Sequence, residues 1–82
     1  MEKEKGQIQK PITILSRNMP GDCVCVDYFQ RQNGSYGFEE YRRDPEDNRG
    51  WFVIGFHAGN VFKSFADAEK VSLKKVSWLR GI

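Results

Sequence analysis

His57 is the only histidine among the 82 residues, so any Ser-His-Asp or Cys-His relay in this chain would have to be built on it. It closes the apolar run WFVIGFH beside Gly55 and Gly59, where a strand-terminal side chain with ordinary structural partners is expected. The two cysteines, Cys23 and Cys25, stand in a C-x-C spacing that puts both thiols on the same side of a strand, a poor geometry for a bridge within it. With His57 they would offer three metal ligands, but a fourth and the paired spacing of a zinc site are missing, so two reduced thiols are expected. Glu39 and Glu40 are adjacent and point to opposite faces of a strand, which prevents them from working as a general acid/base pair. Asp44, Glu46 and Asp47 alternate as in a calcium loop, without the glycine and the distal glutamate that such a loop needs. Gly55 and Gly59 are not followed by the G-K-[ST] of a phosphate loop. No catalytic residue, metal or cofactor is expected, and the chain reads as a binding module.

Two kinds of binding chemistry are available. Arg31, Tyr36, Arg42, Arg43, Arg49 and Lys63 combine cations with aromatic surface. Arginine neutralises phosphate and reads guanine edges, and aromatic rings stack on bases or sugars, so double-stranded DNA is the first expected partner. The other is a protein, a second copy included, meeting exposed Phe29, Phe38 or Trp51. Charge does not choose between them: thirteen Lys and Arg against eleven Asp and Glu leave a net +2, far from the strongly basic balance of a dedicated nucleic-acid binder. Only the C-terminal stretch is locally basic, with Lys70, Lys74, Lys75 and Arg80 and no acid. No apolar run reaches the ~18 residues of a membrane span, and the start MEKEKG lacks the apolar centre of a secretory signal, so a cytoplasmic location is expected.

The elements that must position these residues follow from periodicity and turn chemistry. Residues 1–7 read as a disordered tail and residues 8–82 as a single α+β domain. Residues 8–15 contain a β-branched edge strand after Pro11, and residues 19–22 (MPGD) form a turn. Asn33-Gly34 between CVCVDYFQRQ and SYGFEEYRR predicts a hairpin with a two-residue type I′ loop. That register sets Phe29 opposite Phe38, Tyr28 opposite Glu39, Asp27 opposite Glu40 and Val26 opposite Tyr41. It places Val24, Val26, Tyr28 and Tyr41 on the core face. Asp27, Phe29, Arg31, Tyr36, Phe38, Glu40 and Arg42 then fall on the solvent face. Residues 51–57, apolar on both parities, predict a central strand covered on both sides, with Gly55 at a bulge or close approach, and residues 61–64 a last short strand.

Ser64 with Asp67 three residues on predicts a capped helix from near Phe65. Its apolar side would carry Phe65, Ala68, Val71, Ser72, Val76, Trp78 and Leu79, with Gly81 at the C-terminal stop. The expected fold is an antiparallel β-meander of four to five strands packed against one C-terminal helix.

Three segments, Asn33-Gly34-Ser35-Tyr36, Tyr41-Arg42-Arg43-Asp44-Pro45-Glu46 and Val61-Phe62-Lys63-Ser64-Phe65-Ala66-Asp67-Ala68-Glu69, carry a likeness to a known group. Over about residues 33–72 the chain resembles the arm-DNA-binding domains of phage tyrosine recombinases and the related plant ethylene-response-factor domain. The resemblance implies a three-stranded sheet that enters the major groove with a helix behind it. With the sequence ending at Ile82 it implies a free-standing module of that shape, such as a small phage or prophage accessory protein, without a recombinase catalytic domain.

Overall fold

The computed structural model describes residues 11–46 and 49–81. The tail expected at residues 1–7, the first residues of the predicted edge strand and Asp47 lie outside the described residues. Among the described residues the chain forms a four-stranded antiparallel sheet and one C-terminal α-helix, an α+β fold. The strands are β1 (Ile12–Asn18), β2 (Val24–Gln30), β3 (Tyr36–Arg42) and β4 (Phe52–Val53), joined in sequence order as a meander. The helix α1 (Phe65–Lys75) is followed by a 3₁₀ turn at Ser77–Gly81.

The predicted hairpin exists, but its register differs by one residue. Asp27 pairs with Glu39, Tyr28 with Phe38 and Val26 with Glu40. The loop has three residues rather than two: the Gly34 amide donates to the Arg31 carbonyl and the Arg31 amide to the Ser35 carbonyl, at 2.9 and 2.8 Å. Gly34 takes the positive φ of +87° that completes a type I turn with a bulge, while Asn33 uses its carboxamide oxygen to accept from the Ser35 amide at 3.0 Å. A one-residue slip exchanges the faces of β3. Tyr36, Phe38, Glu40 and Arg42 therefore share the side of Val26 and Tyr28, and Tyr41 moves to the opposite side with Cys25 and Asp27. Burial explains the choice, because only this register lets Phe38 join Val26 and Tyr28 beneath the helix, where all three are fully buried.

Those three side chains meet Ala68, Val76 and Leu79, with Tyr36, Phe62, Phe65, Val71, Leu73 and Trp78 packed around them. Tyr28 packs edge-on to Phe65 at 5.3 Å between ring centres, and Phe38 stacks on Phe62 at 5.9 Å. Inside this core the Ser72 hydroxyl donates to the Glu69 carbonyl at 2.7 Å, which leaves the Tyr28 hydroxyl to donate to Ser72 Oγ at 2.6 Å. The helix starts as predicted: Ser64 has extended backbone, and its hydroxyl accepts from the Asp67 amide at 3.1 Å. It stops before Gly81, with Val76 extended at the C-cap, so Trp78 and Leu79 reach the core from the 3₁₀ turn. No helix among the described residues is long and apolar enough to cross a membrane.

The larger departure is at residues 51–57. Instead of a central strand covered on both sides, they form the sheet edge, with only Phe52 and Val53 paired to β3. Residues 61–64 are not a strand either, since Phe62 alone bridges to Tyr36. Helix α1 lies across β3 and β2, so one helix cannot also cover this run.

Candidate interaction surface

Trp51, Phe52, Val53, Ile54 and Phe56 are all exposed, and Phe56 is 80% exposed. Val53 pairs with Tyr41 and Phe52 with Arg42, so the segment shows apolar side chains on both faces of the edge. Trp51 and Tyr41 border an open depression on the side away from the helix, with Ser16, Asn18, Cys25 and Asp27 completing its lining. Its chemistry is muted. Burial, and next the charge of Asp27, push the Cys25 thiol up to about 11, so little nucleophilic thiolate forms near neutrality. The Asp27 carboxylate accepts from Ser16 Oγ at 2.6 Å, and both cysteines are free.

The position of Phe56 is held by a carboxylate. Glu39 is only 2% exposed, although strand alternation puts it beside Asp27 on the face away from the helix. Its oxygens accept from the backbone amides of Glu40 and His57 at 2.9 Å and of Ala58 at 3.0 Å. These bonds to a charged acceptor offset the desolvation of the carboxylate and the repulsion from Asp27. They also hold the chain through Phe56, whose φ of +54° is sterically unfavourable for a residue with a bulky side chain. His57 completes the loop by packing its ring on Phe38 at 4.9 Å, with Nε2 3.9 Å from Glu40 Oε1. A Cβ on Gly55 would come within 2.5 Å of the His57 ring, so the close approach expected at this glycine is present.

The residues expected to bind nucleic acid do not form one surface. Arg31 lies at the hairpin end and is occupied by backbone, donating to the carbonyls of Tyr36, Ala58 and Asn60 at 3.0, 2.6 and 3.1 Å while covering the Phe29 ring. Tyr36 is not on a solvent face but packs against the core. Lys63 follows Phe62 at this same end, sharing a shallow groove with Lys70, Lys74 and the acidic Asp67. Arg42 and Arg43 lie at the other end of β3, about 20 Å away for a seven-residue strand. Arg43 sits over the Trp51 ring at 5.1 Å, and Arg49 is exposed in the loop before β4. Phe38, expected at a surface, is fully buried.

Sequence reasoning missed Glu39 and Phe56. The signal for Phe56 was present: a run apolar on both parities needs two covering layers, and the chain supplies one helix. Glu39 left no such trace, because its partners are backbone amides as far as 19 residues away. Among the described residues no group of three or more His, Cys, Asp or Glu could hold a metal ion. Compared with protein-family models, with curated proteins and with solved structures, the chain matches none of them.

Proposed function

We propose that this domain is a non-enzymatic protein-interaction module whose partner seats Phe56 in an apolar pocket, flanked by Trp51, Phe52, Val53 and Ile54. The observation that carries this reading is the combination at Phe56 of a sterically unfavourable backbone, a buried carboxylate that holds it, and a ring left in water. Conformational strain persists only where the surroundings over-determine it, and a pre-organised aromatic anchor loses little freedom on binding. Burial of a Phe side chain is worth ~1.5–3 kcal/mol, enough for one residue to dominate an interface.

Duplex DNA is the second reading, favoured by the Lys63, Lys70 and Lys74 groove and by Arg42 and Arg43 near Trp51. The two differ in salt response, and one experiment separates them. Peptides enriched from a random library on the immobilised domain are titrated against the wild type and Phe56→Ala, beside a mixed-sequence duplex, at ~50 and ~200 mM salt. The interaction reading expects peptide affinity that ignores salt and falls ~10–100-fold in Phe56→Ala. Peptides that bind Phe56→Ala as well as the wild type reject it. Duplex binding that weakens steeply with salt establishes the DNA reading instead.

A further inference from the structure

The depression bordered by Trp51 and Tyr41 offers little nucleophile near neutrality, but it has aromatic walls and a sign of charge. The strand register sets that sign. Asp27 pairs with Glu39 and Cys25 with Tyr41, so these side chains share the sheet face away from the helix. Like charges directly opposite one another on a sheet are destabilising. Glu39 is buried and satisfied by backbone amides, whereas Asp27 is half-buried and lines the depression. Its Oδ1 accepts from Ser16 Oγ at 2.6 Å, and its Oδ2 takes no donor among the described residues. Tyr41 senses the resulting field. Its phenol is shifted upward by burial first and then by the charges of Asp27 and Glu39, and a place whose charges disfavour a phenolate favours a cation. No Lys or Arg lines the depression, and Arg43 rests over the Trp51 ring without joining its lining.

We propose that this depression, about 340 Å³ in volume, binds a primary ammonium group on a short alkyl chain, the group carried by a lysine side chain or a small amine. The ammonium donates to Asp27 Oδ2, and its methylene stem lies against Trp51 and Tyr41, whose ring faces attract cations. Ser16 and Asn18, both exposed on β1, add neutral acceptors at the rim. The donor and acceptor inventory selects this cation over others. A quaternary ammonium has no N–H to give Asp27. A guanidinium presents a planar fork that suits both oxygens of a carboxylate, and Ser16 already occupies one of them. A metal ion would need more ligands than are present, since no group of three or more His, Cys, Asp or Glu stands together among the described residues. The site shares only Trp51 with the surface proposed around Phe56 and does not depend on that reading.

Titration with n-butylammonium chloride at constant ionic strength, followed by amide and indole NMR, tests the site. The signals of Cys25, Asp27, Tyr41 and Trp51 should shift saturably, with a dissociation constant on the order of 1–10 mM for a ligand of so few atoms. n-Butanol, its neutral counterpart, and tetramethylammonium, a cation without a donor, should each bind about tenfold more weakly or worse. Asp27→Asn keeps an oxygen for Ser16, removes the charge, and should weaken n-butylammonium binding by about tenfold or more. Phe56→Ala should leave it unchanged. N-acetyl-lysine methylamide distinguishes the sources: tighter binding than n-butylammonium assigns the site to a protein side chain and weaker binding to a free amine, and either upholds the ammonium site. Shifts that do not saturate by about 100 mM, far beyond that constant, overturn the proposal. So does n-butanol binding as well as n-butylammonium to the unaltered protein, a result independent of any variant's stability. A folded Asp27→Asn protein that binds n-butylammonium like the wild type overturns it too.

Discussion

Replacing Glu39 by Gln keeps the shape of the buried side chain and removes its charge, which tests whether this carboxylate holds the loop that presents Phe56. Oε2 accepts from the Glu40 and His57 amides and Oε1 from the Ala58 amide. Glutamine can place its one oxygen where Oε2 was, leaving its NH₂ group against the Ala58 N–H. A buried donor without a partner costs ~1–3 kcal/mol, so Glu39→Gln should lower stability by about 2 kcal/mol. For a chain of this size that is a melting-temperature drop of ~8–16 °C.

Phe56→Gly acts on the other side of the same arrangement. Relief of a left-handed backbone returns ~1–2 kcal/mol, and the added freedom of glycine in the unfolded chain takes back ~0.5–1, for a net gain of about 0.5–1 kcal/mol. If Glu39 holds that strained residue, Glu39→Gln in the wild type regains strain as Phe56 relaxes and the Phe56→Gly background has none to regain, so the cost there should rise to about 3 kcal/mol, a coupling larger than the ~0.3–0.5 kcal/mol scatter of independent sites. The assay is urea denaturation followed by the fluorescence of Trp51 and Trp78 together, the indole N–H of Trp78 donating to Glu40 at 2.9 Å. A Glu39→Gln loss under about 0.5 kcal/mol, typical of an inconsequential surface change, or strict additivity in the cycle refutes the reasoning.

Three further outcomes follow. Ser72→Ala leaves the buried Tyr28 hydroxyl without an acceptor and should cost ~1–3 kcal/mol, while Tyr28→Phe leaves Ser72 still bonded to the Glu69 carbonyl and should cost ~0.5–1.5; the reverse order in denaturant melts would show the donor directions to be wrong. Gly34→Val puts a β-branched residue at φ +87° and should cost about 1–2 kcal/mol, so an unchanged melting temperature counts against the three-residue loop. Cys25, held at about 11 by burial and by Asp27, should alkylate more slowly than Cys23 in the folded protein, which peptide mass mapping reads directly. Because folded Cys25 keeps its proton beyond the ordinary 9.0, its stabilisation is complete below pH 9 and lost as pH rises towards 11, and Tyr41, shifted upward chiefly by burial too, adds a loss that begins only above its ordinary 10.0; stability that stays flat or rises from pH 9 to 11 contradicts the Cys25 shift.

Local chemistry was enough for much of the architecture. Ser64 and Asp67 announce the helix start because a cap is settled within one turn. The helix face follows from the spacing of Phe65, Ala68, Val71 and Ser72, and the hairpin from Gly34 between two strand-forming runs. Register was a tertiary decision. Asn33-Gly34 suits a two-residue and a three-residue loop, which differ by little locally, and the burial of Phe38 against Tyr28 and the helix chose between them. The same decision took Tyr36 and Phe38 off the expected solvent face and brought Tyr41 onto it. Residues 51–57 show the converse. Their composition reads as buried, but burial depends on how many layers the rest of the chain supplies, and one short helix covers one face of this sheet. The Glu39 clamp on Phe56 belonged wholly to the fold, because a carboxylate that bonds backbone amides can take any sequence as its partner, and only the closed chain brings His57 and Ala58 to it.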